Sequence, residues 1–180
     1  MKVEFLLAIQ ESQSVRKDPV LEKKIDHCVQ TTLVKMASGA LFDHVNGGFF
    51  RYCVDDSWQS PHFEKILADN CLLISSYSKG YRKYKNPLFK HVVEKTIQWA
   101  LDDLGCPKEG FGSSVSSEVQ QAEGAQYLWS KEELAEILTE ADDQSLLSRW
   151  EPIEGSDKNT FVPLLIESST VPIGQQIKIL

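Results

Sequence analysis

The sequence predicts a mainly all-α fold, an array or toroid of stacked α-hairpins with a short β-hairpin inserted. Three observations carry this expectation. Apolar residues recur at helical spacing through several long segments. A proline preceded by a side chain that can cap marks three restarts, at Asp18-Pro19, Ser60-Pro61 and Asn86-Pro87. Short and long connections alternate between these restarts, the pattern of α-hairpins that each bury a face on the next.

The first helix is expected from Lys2 to about Gln13, with Val3, Leu6, Leu7 and Gln10 on one side. It opens without a cap, which points to chain upstream. The second starts at Pro19 with Asp18 as its cap, presents Leu21, Ile25, Cys28, Val29, Thr32, Leu33 and Met36, and is stopped by Gly39. Ser60-Pro61 predicts the start of a third, whose face carries Phe63, Ile66, Leu67, Cys71, Ile74, Tyr77 and Tyr81. Asn70 lies within that face, where its amide must find hydrogen-bond partners. Asn86-Pro87 opens a fourth, with Phe89, Val92, Val93, Thr96, Ile97, Ala100, Leu101 and Leu104, ended by Gly105 and Pro107.

Residues 110–129 do not read as helical. Phe111-Gly-Ser-Ser-Val and Ala125-Gln-Tyr-Leu-Trp are expected to pair as two short strands around a polar turn containing Glu123-Gly124. Ser130-Lys-Glu-Glu133 is a capping box that opens a fifth helix with Leu134, Ile137 and Leu138, with a further turn between Asp142 and Trp150. Residues 1–150 therefore read as one helical domain. Residues 151–180, broken by Pro152, Pro163 and Pro172, read as an irregular tail with no assigned structure.

A chain of 180 residues with 42% hydrophobic residues is long enough for one domain with a real core. It has no apolar run near the ~20 residues that span a bilayer, and its charge-interrupted N-terminus is not a secretory signal. The four cysteines are scattered without a Cys-x-x-Cys pair, which argues against zinc and disulfide frameworks. Cys28 and Cys71 fall on apolar helix faces as small hydrophobes. A reducing, cytoplasmic location is the expectation. The net charge of −7 is uneven: residues 131–154 hold eight acids and two bases, residues 79–95 six bases and one acid. The basic stretch lacks a glycine-rich or RNA-binding motif and reads as a solvated helix face, so neither nucleic acid nor membrane is an expected partner.

The chemistry concentrates between Asp43 and Asn70, where five aromatic residues, two histidines, one arginine and five carboxylates surround Gly47-Gly48. Connections in compact domains are usually about 4–6 residues long. A longer one this rich in rings is expected to be ordered and to line a pocket, burying Phe49, Tyr52 and Trp58. Gly47-Gly48 reads as a backbone turn at positive φ rather than a phosphate cradle.

Leu41-Phe-Asp-His-Val-Asn-Gly-Gly-Phe-Phe-Arg-Tyr, Trp58-Gln-Ser-Pro-His-Phe-Glu-Lys-Ile-Leu, Gly110-Phe-Gly-Ser and Glu123-Gly-Ala-Gln-Tyr-Leu-Trp occur in one order and spacing. In this the chain resembles the long thioredoxin-domain-containing proteins of the spermatogenesis-associated type, over roughly residues 3–138. In that family a thioredoxin-like domain precedes an (α/α)6 toroid similar to N-acylglucosamine 2-epimerases and six-hairpin glycosidases. The resemblance implies a partial toroid here, two to three hairpins with no thioredoxin half. It also marks departures. Phe50 stands where the family has histidine, Ala68 where it has tyrosine, and Ser116-Ser-Glu-Val replaces Asp-Ala-Asp-Ser, with Glu118 in place of the second aspartate.

By that resemblance the site is of sugar type. Tyr52, Trp58 and Trp129 are the aromatic platforms; Asp43, Arg51, Asp55 and Asp69 are the charged groups for hydroxyls; His44, His62 and Glu64 are the candidate catalytic acids and bases. Each has a plainer reading beside it. His62 can cap or brace a loop, Glu64 and Lys65 can be first-turn surface charges, Arg51 can be a buried brace for Asp43 or Asp69, and Trp99 and Trp150 are packing residues. No ligand spacing supports a metal, and no cofactor is expected. The reading is thus a fragment-like relative of a carbohydrate-active domain, with a pocket for a small carbohydrate and little or no catalysis. The other reading is a non-catalytic interaction module or truncated remnant. The open flanks of a half toroid, on the first helix and the face carrying Trp99, lead to an expectation of self-association or a protein partner. Whether the chain is an enzyme stays open at this level.

Overall fold

The computed structural model describes residues 2–119, 121–130, 150–152 and 160–163. Within them the chain is mainly helical, with short strands that stitch its loops. Helix α1 (Lys2–Ile9) is shorter than the periodicity suggests: the chain turns at residues 10–12 and Ser12 caps a separate turn, α2 (Gln13–Arg16), by accepting from the Val15 amide. Helix α3 (Pro19–Ser38) begins as expected, with the Asp18 carboxylate taking the amides of Val20 and Leu21. Its inward stripe is Ile25, Val29, Leu33 and Ala37. Leu21, Cys28 and Cys71, expected on apolar faces, are exposed instead.

The third restart is not a helix. Residues 52–53 (β1) pair antiparallel with Pro61–His62 (β2), and Lys65–Ile66 (β3) pair antiparallel with Ser114–Val115. Helix α4 (Leu67–Tyr84) starts only then, with Ile66 at its N-cap position and no side-chain cap. Burial explains this correction. From Pro61 to Ile66, buried and half-buried residues alternate, the period of a strand. Helix α5 (Pro87–Trp99) follows a left-handed Lys85, capped by Asn86, and runs into a π-helical turn at Ala100–Leu104. Helices α4 and α5 form an α-hairpin that packs on α3, while α1 packs on α3 and α4.

The expected strand pair across residues 111–129 is replaced by three short pairings. Gly105–Cys106 (β4) pairs with Gly110–Phe111 (β5), and Glu118–Val119 (β7) with Ala122–Glu123 (β8); between them Ser114–Val115 is β6. Trp129–Ser130 (β9) joins Trp150–Pro152 (β10) and Thr160–Pro163 (β11) in a three-stranded sheet of order β10-β11-β9. The fifth helix expected after Ser130 lies outside the described residues.

The main core gathers Val29, Leu33, Phe42, Phe49, Tyr77, Phe89 and Val92 between the helices and the 41–50 segment. Tyr77 donates its buried hydroxyl to the Leu33 carbonyl at 2.7 Å. Trp99, Ala100 and Leu104 form a second cluster with Leu67 and Val115. The face of Trp99, expected to be open, is therefore covered, and the indole is 1% exposed. Among the described residues no helix is long and apolar enough to cross a membrane.

Candidate functional site

The 41–66 segment is held from below by one amide side chain. Asn70, wholly buried in the first turn of α4, accepts from the Phe49 amide at 2.7 Å and donates to the carbonyls of Phe49 at 3.0 Å and Ile66 at 2.9 Å. It satisfies both backbone groups of Phe49 as a neighbouring strand would. Above it the chain reverses through Gly47 and Gly48, with φ of +83° and +78°. A Cβ on Gly48 would stand 2.6 Å from the Trp99 ring. Phe49 and Phe50 point inward as a result, 1% and 3% exposed.

At the centre lies Lys65, which is 0% exposed. Its Nζ donates to Asp43 Oδ2 at 2.7 Å and to the Gly47 carbonyl at 2.8 Å. Three rings surround it, with centroids 4.7 Å away for Tyr127, 5.1 Å for Phe50 and 5.2 Å for Trp99. Burial pushes the ammonium pKa down and the Asp43 carboxylate opposes that. The ion pair, carbonyl and ring faces together account for a charge in this position. Asp43 uses its other oxygen to take the amides of Val45 and Asn46 at 2.9 and 3.0 Å. Burial raises the Tyr127 hydroxyl to about 12, with the Asp43 charge adding to the effect.

The residues expected to form one site divide into two groups. Asp43 and His44 are inside. His44 Nε2 lies 3.0 Å from the Gly39 carbonyl, and burial lowers its pKa to about 4, so the ring is neutral near pH 7. With Trp129, which is half-buried, they border a narrow space of about 20 Å³. Trp58 is half-buried as well. Its backbone sits at a φ of +66° and its carbonyl accepts from Ala40 at 2.7 Å, closing the loop over Gly39.

Tyr52, His62, Arg51 and Glu64 are outside, on the β1–β2 ribbon. The Tyr52 ring, 46% exposed, stacks on His62 with centroids 5.0 Å apart and planes 17° from parallel. His62 Nε2 is 3.6 Å from Glu123 Oε1, and its Nδ1 is buried without a hydrogen-bond partner among the described residues. Arg51 donates to Glu64 at 2.8 Å with half of its side chain exposed. It is not the buried brace for Asp43 or Asp69; Lys65 fills that role. Asp69 is exposed in the first turn of α4, away from this ribbon's pairings. Asp55 organises the turn between the strands. Burial pushes its carboxyl up, but the Ser57 hydroxyl and the amides of Gln59 and Ser60 outweigh that and hold it at about 2.

Sequence reasoning missed Lys65 as a core group and Glu123 as the partner of His62. The signal for Lys65 was present in the alternation Pro61-x-Phe63-x-Lys65, the buried phase of an extended segment. Among the described residues no group of three or more His, Cys, Asp or Glu side chains is arranged to hold a metal ion.

No family model matches the chain. It is 35% identical to spermatogenesis-associated protein 20 of Rattus norvegicus and 33% identical to that of Homo sapiens, each over 115 residues. Each alignment takes in 61% of this chain and 15% of the relative. An uncharacterized protein of Caenorhabditis elegans is 31% identical over 148 residues, 76% of this chain and 19% of that protein. The chain thus spans less than a fifth of the length of these curated relatives. These likenesses relate part of spermatogenesis-associated protein 20 to this chain and support the resemblance to that family.

Proposed function

We propose that the chain is a fragment-like relative of a carbohydrate-active α/α-toroid domain, holding a small sugar weakly on its open ribbon and turning over none. The observation that carries this reading is the division of the site. The space beside Asp43 and His44 measures about 20 Å³, whereas ligand pockets run to about 300–1,000 Å³. Both side chains are already spent, one on Lys65 and the other on the Gly39 carbonyl. Tyr52 presents an exposed ring backed by His62, with Arg51, Glu64 and Glu123 nearby to hydrogen-bond hydroxyls. A ring face beside fixed polar groups suits a pyranose, but an open surface leaves water in place and weakens the electrostatics that proton transfer needs. The α4–α5 hairpin stacked on α3 is compatible with part of a helical toroid.

The test is an NMR titration of the full chain with glucose, mannose and N-acetylglucosamine, run beside assays for epimerisation and glycoside hydrolysis. Shifts are expected at Tyr52 and His62, and Tyr52→Ala should weaken binding about tenfold, or ~1.4 kcal/mol. Silence of the ribbon to every sugar, or turnover lost on Glu64→Gln, overturns the reading. The second reading, a protein-interaction module, is favoured by Ile97, Leu101 and Phe111, which are 42%, 54% and 53% exposed. Leu101 and Phe111 border a shallow groove of about 360 Å³. Concentration-dependent mass by light scattering, abolished by Leu101→Glu, would support it.

A further inference from the structure

A cleft of about 610 Å³ lies away from the motif residues, between α1–α2 and the last turns of α4. That is within the range of small-molecule sites. Its wall is braced by two ion-pair networks. Lys79 and Ser76 both donate to Glu4. Lys83, Tyr84 and Gln10 all converge on Asp26, at 2.9, 2.8 and 2.8 Å. Burial pushes both carboxyls up, but these hydrogen bonds outweigh it and keep them ionised. The two lysines are thereby neutralised, and the wall is fixed before any ligand arrives.

What remains uncommitted in the cleft defines the ligand. Arg16 and Arg82 line it with no carboxylate in ion-pair reach among the described residues. Two guanidinium groups offer forked donors that match a phosphate. Gln10 also lines it, at 4% exposure. Its Nε2 is committed to Asp26, and its Oε1 is buried with no hydrogen-bond partner among the described residues. An orphaned buried acceptor is unfavourable, and a donor arriving from a ligand relieves it. Glu11 and Glu22, unpaired among the described residues, add acceptors at the rim and disfavour a ligand that is anionic throughout. Leu7 and Ala8 supply an apolar contact. One end of the ligand must therefore be an anion, and the rest must carry hydroxyl donors on a small carbon frame.

We propose that this cleft is a binding site for a phosphorylated polyol, the phosphate held by Arg16 and Arg82 and a hydroxyl donating to Gln10 Oε1. The proposal is independent of the sugar reading at Tyr52, which lies on the β1–β2 ribbon and does not line this cleft. Calorimetric titration of the full chain with glucose 6-phosphate, glycerol 3-phosphate and inositol 1-phosphate tests it, with glucose and inorganic phosphate as separate arms. At least one phosphorylated polyol is expected to bind ten times or more tightly than either control. Arg16→Gln and Arg82→Gln, both on exposed side chains, should each weaken it about tenfold without changing the melting temperature, and Tyr52→Ala should leave it unchanged. Inorganic phosphate binding as tightly as the polyol phosphates would overturn the hydroxyl-reading half. Equal affinity for wild type and the Arg16→Gln, Arg82→Gln double variant, or no binding by any of the three compounds, would overturn the whole.

Discussion

Lys65 and Asp43 meet at 2.7 Å with exposures of 0% and 5% at their side chains. A charge without water around it is costly, and what offsets that cost here is local: one carboxylate, one carbonyl and three ring faces. Removing only the cation leaves Asp43 buried beside rings that offer it nothing. We expect Lys65→Met to destabilise the chain by about 3–5 kcal/mol, in the manner of a broken buried pair. Adding Asp43→Asn to that variant should recover part of the loss, because Asn keeps an oxygen for the Val45 and Asn46 amides while shedding the charge. Urea unfolding at neutral pH measures both. A double variant no more stable than the single one would show that the two groups are not coupled. His44, two residues from Phe42 and edge-on to its ring, is a packing and hydrogen-bonding group in the same neighbourhood.

At the scale of elements, the Gly47-Gly48 turn and the start of α4 form one unit through Asn70. Gly48 has two reasons to be glycine, its φ of +78° and the Trp99 ring 2.6 Å from where a Cβ would stand. Gly110 has only one: its φ is +97° with nothing within 4 Å of that point. Gly48→Ala should therefore cost about 2–5 kcal/mol, strain plus overpacking, and Gly110→Ala only about 1–2 kcal/mol. Thermal unfolding of the two variants side by side decides it, and equal losses would mean that the indole gives way without cost. The same comparison shows what was legible in the sequence. Asp18-Pro19 and Asn86-Pro87 announce their helices because the capping carboxylate or amide and the proline act within three residues. Asn70 as a buried amide in need of partners was legible for a similar reason: a polar group at an apolar phase must be satisfied. Ser60-Pro61 carries the same local signal, yet the chain stays extended for six more residues. Phe63, Ile66 and Leu67 fit a helical spacing, while Pro61, Phe63 and Lys65 fit a strand. The choice is made by Ser114–Val115, about fifty residues away, whose backbone pairs with Lys65–Ile66. A long-range ladder leaves no mark on local spacing, so the helix start and the strand pairs were beyond reach, while the alternation that marks Lys65 stood beside a helical spacing that fits as well.

For the whole molecule, pH separates two sets of groups. His44 has a folded pKa depressed by burial to about 4. For a base so depressed, stability is complete above the unfolded value near 6.5 and is lost as pH falls towards about 4. Over that window the loss is on the order of 3 kcal/mol for a ring this buried. His91, half-buried and also shifted down, adds in the same direction. The carboxylates act lower. Asp55, held at about 2, and Glu4 and Asp26, shifted down by their hydrogen bonds, contribute stability that is present above the ordinary carboxylate range and lost below it. Urea midpoints between pH 7 and pH 2 should thus fall in two limbs. His44→Gln should flatten the upper limb in part, leaving the share of His91, and should not touch the lower. An unchanged upper limb in that variant would show that His44 is not the titrating group.

The cage around Lys65 also has a temporal side. A ribosome delivers the chain from its N-terminus, and the pieces that close the cage come from far apart: Phe50 early, Trp99 later, Tyr127 last. Until Tyr127 has cleared the exit tunnel, the lysine between the two motif loops has a carboxylate but an incomplete wall. Helices α3 and α5 and the body of α4 need nothing beyond residue 99 and can pair as they emerge, whereas the start of α4 waits for Ser114–Val115. The motif region, first to be written among the site's parts, is therefore the last to be sealed.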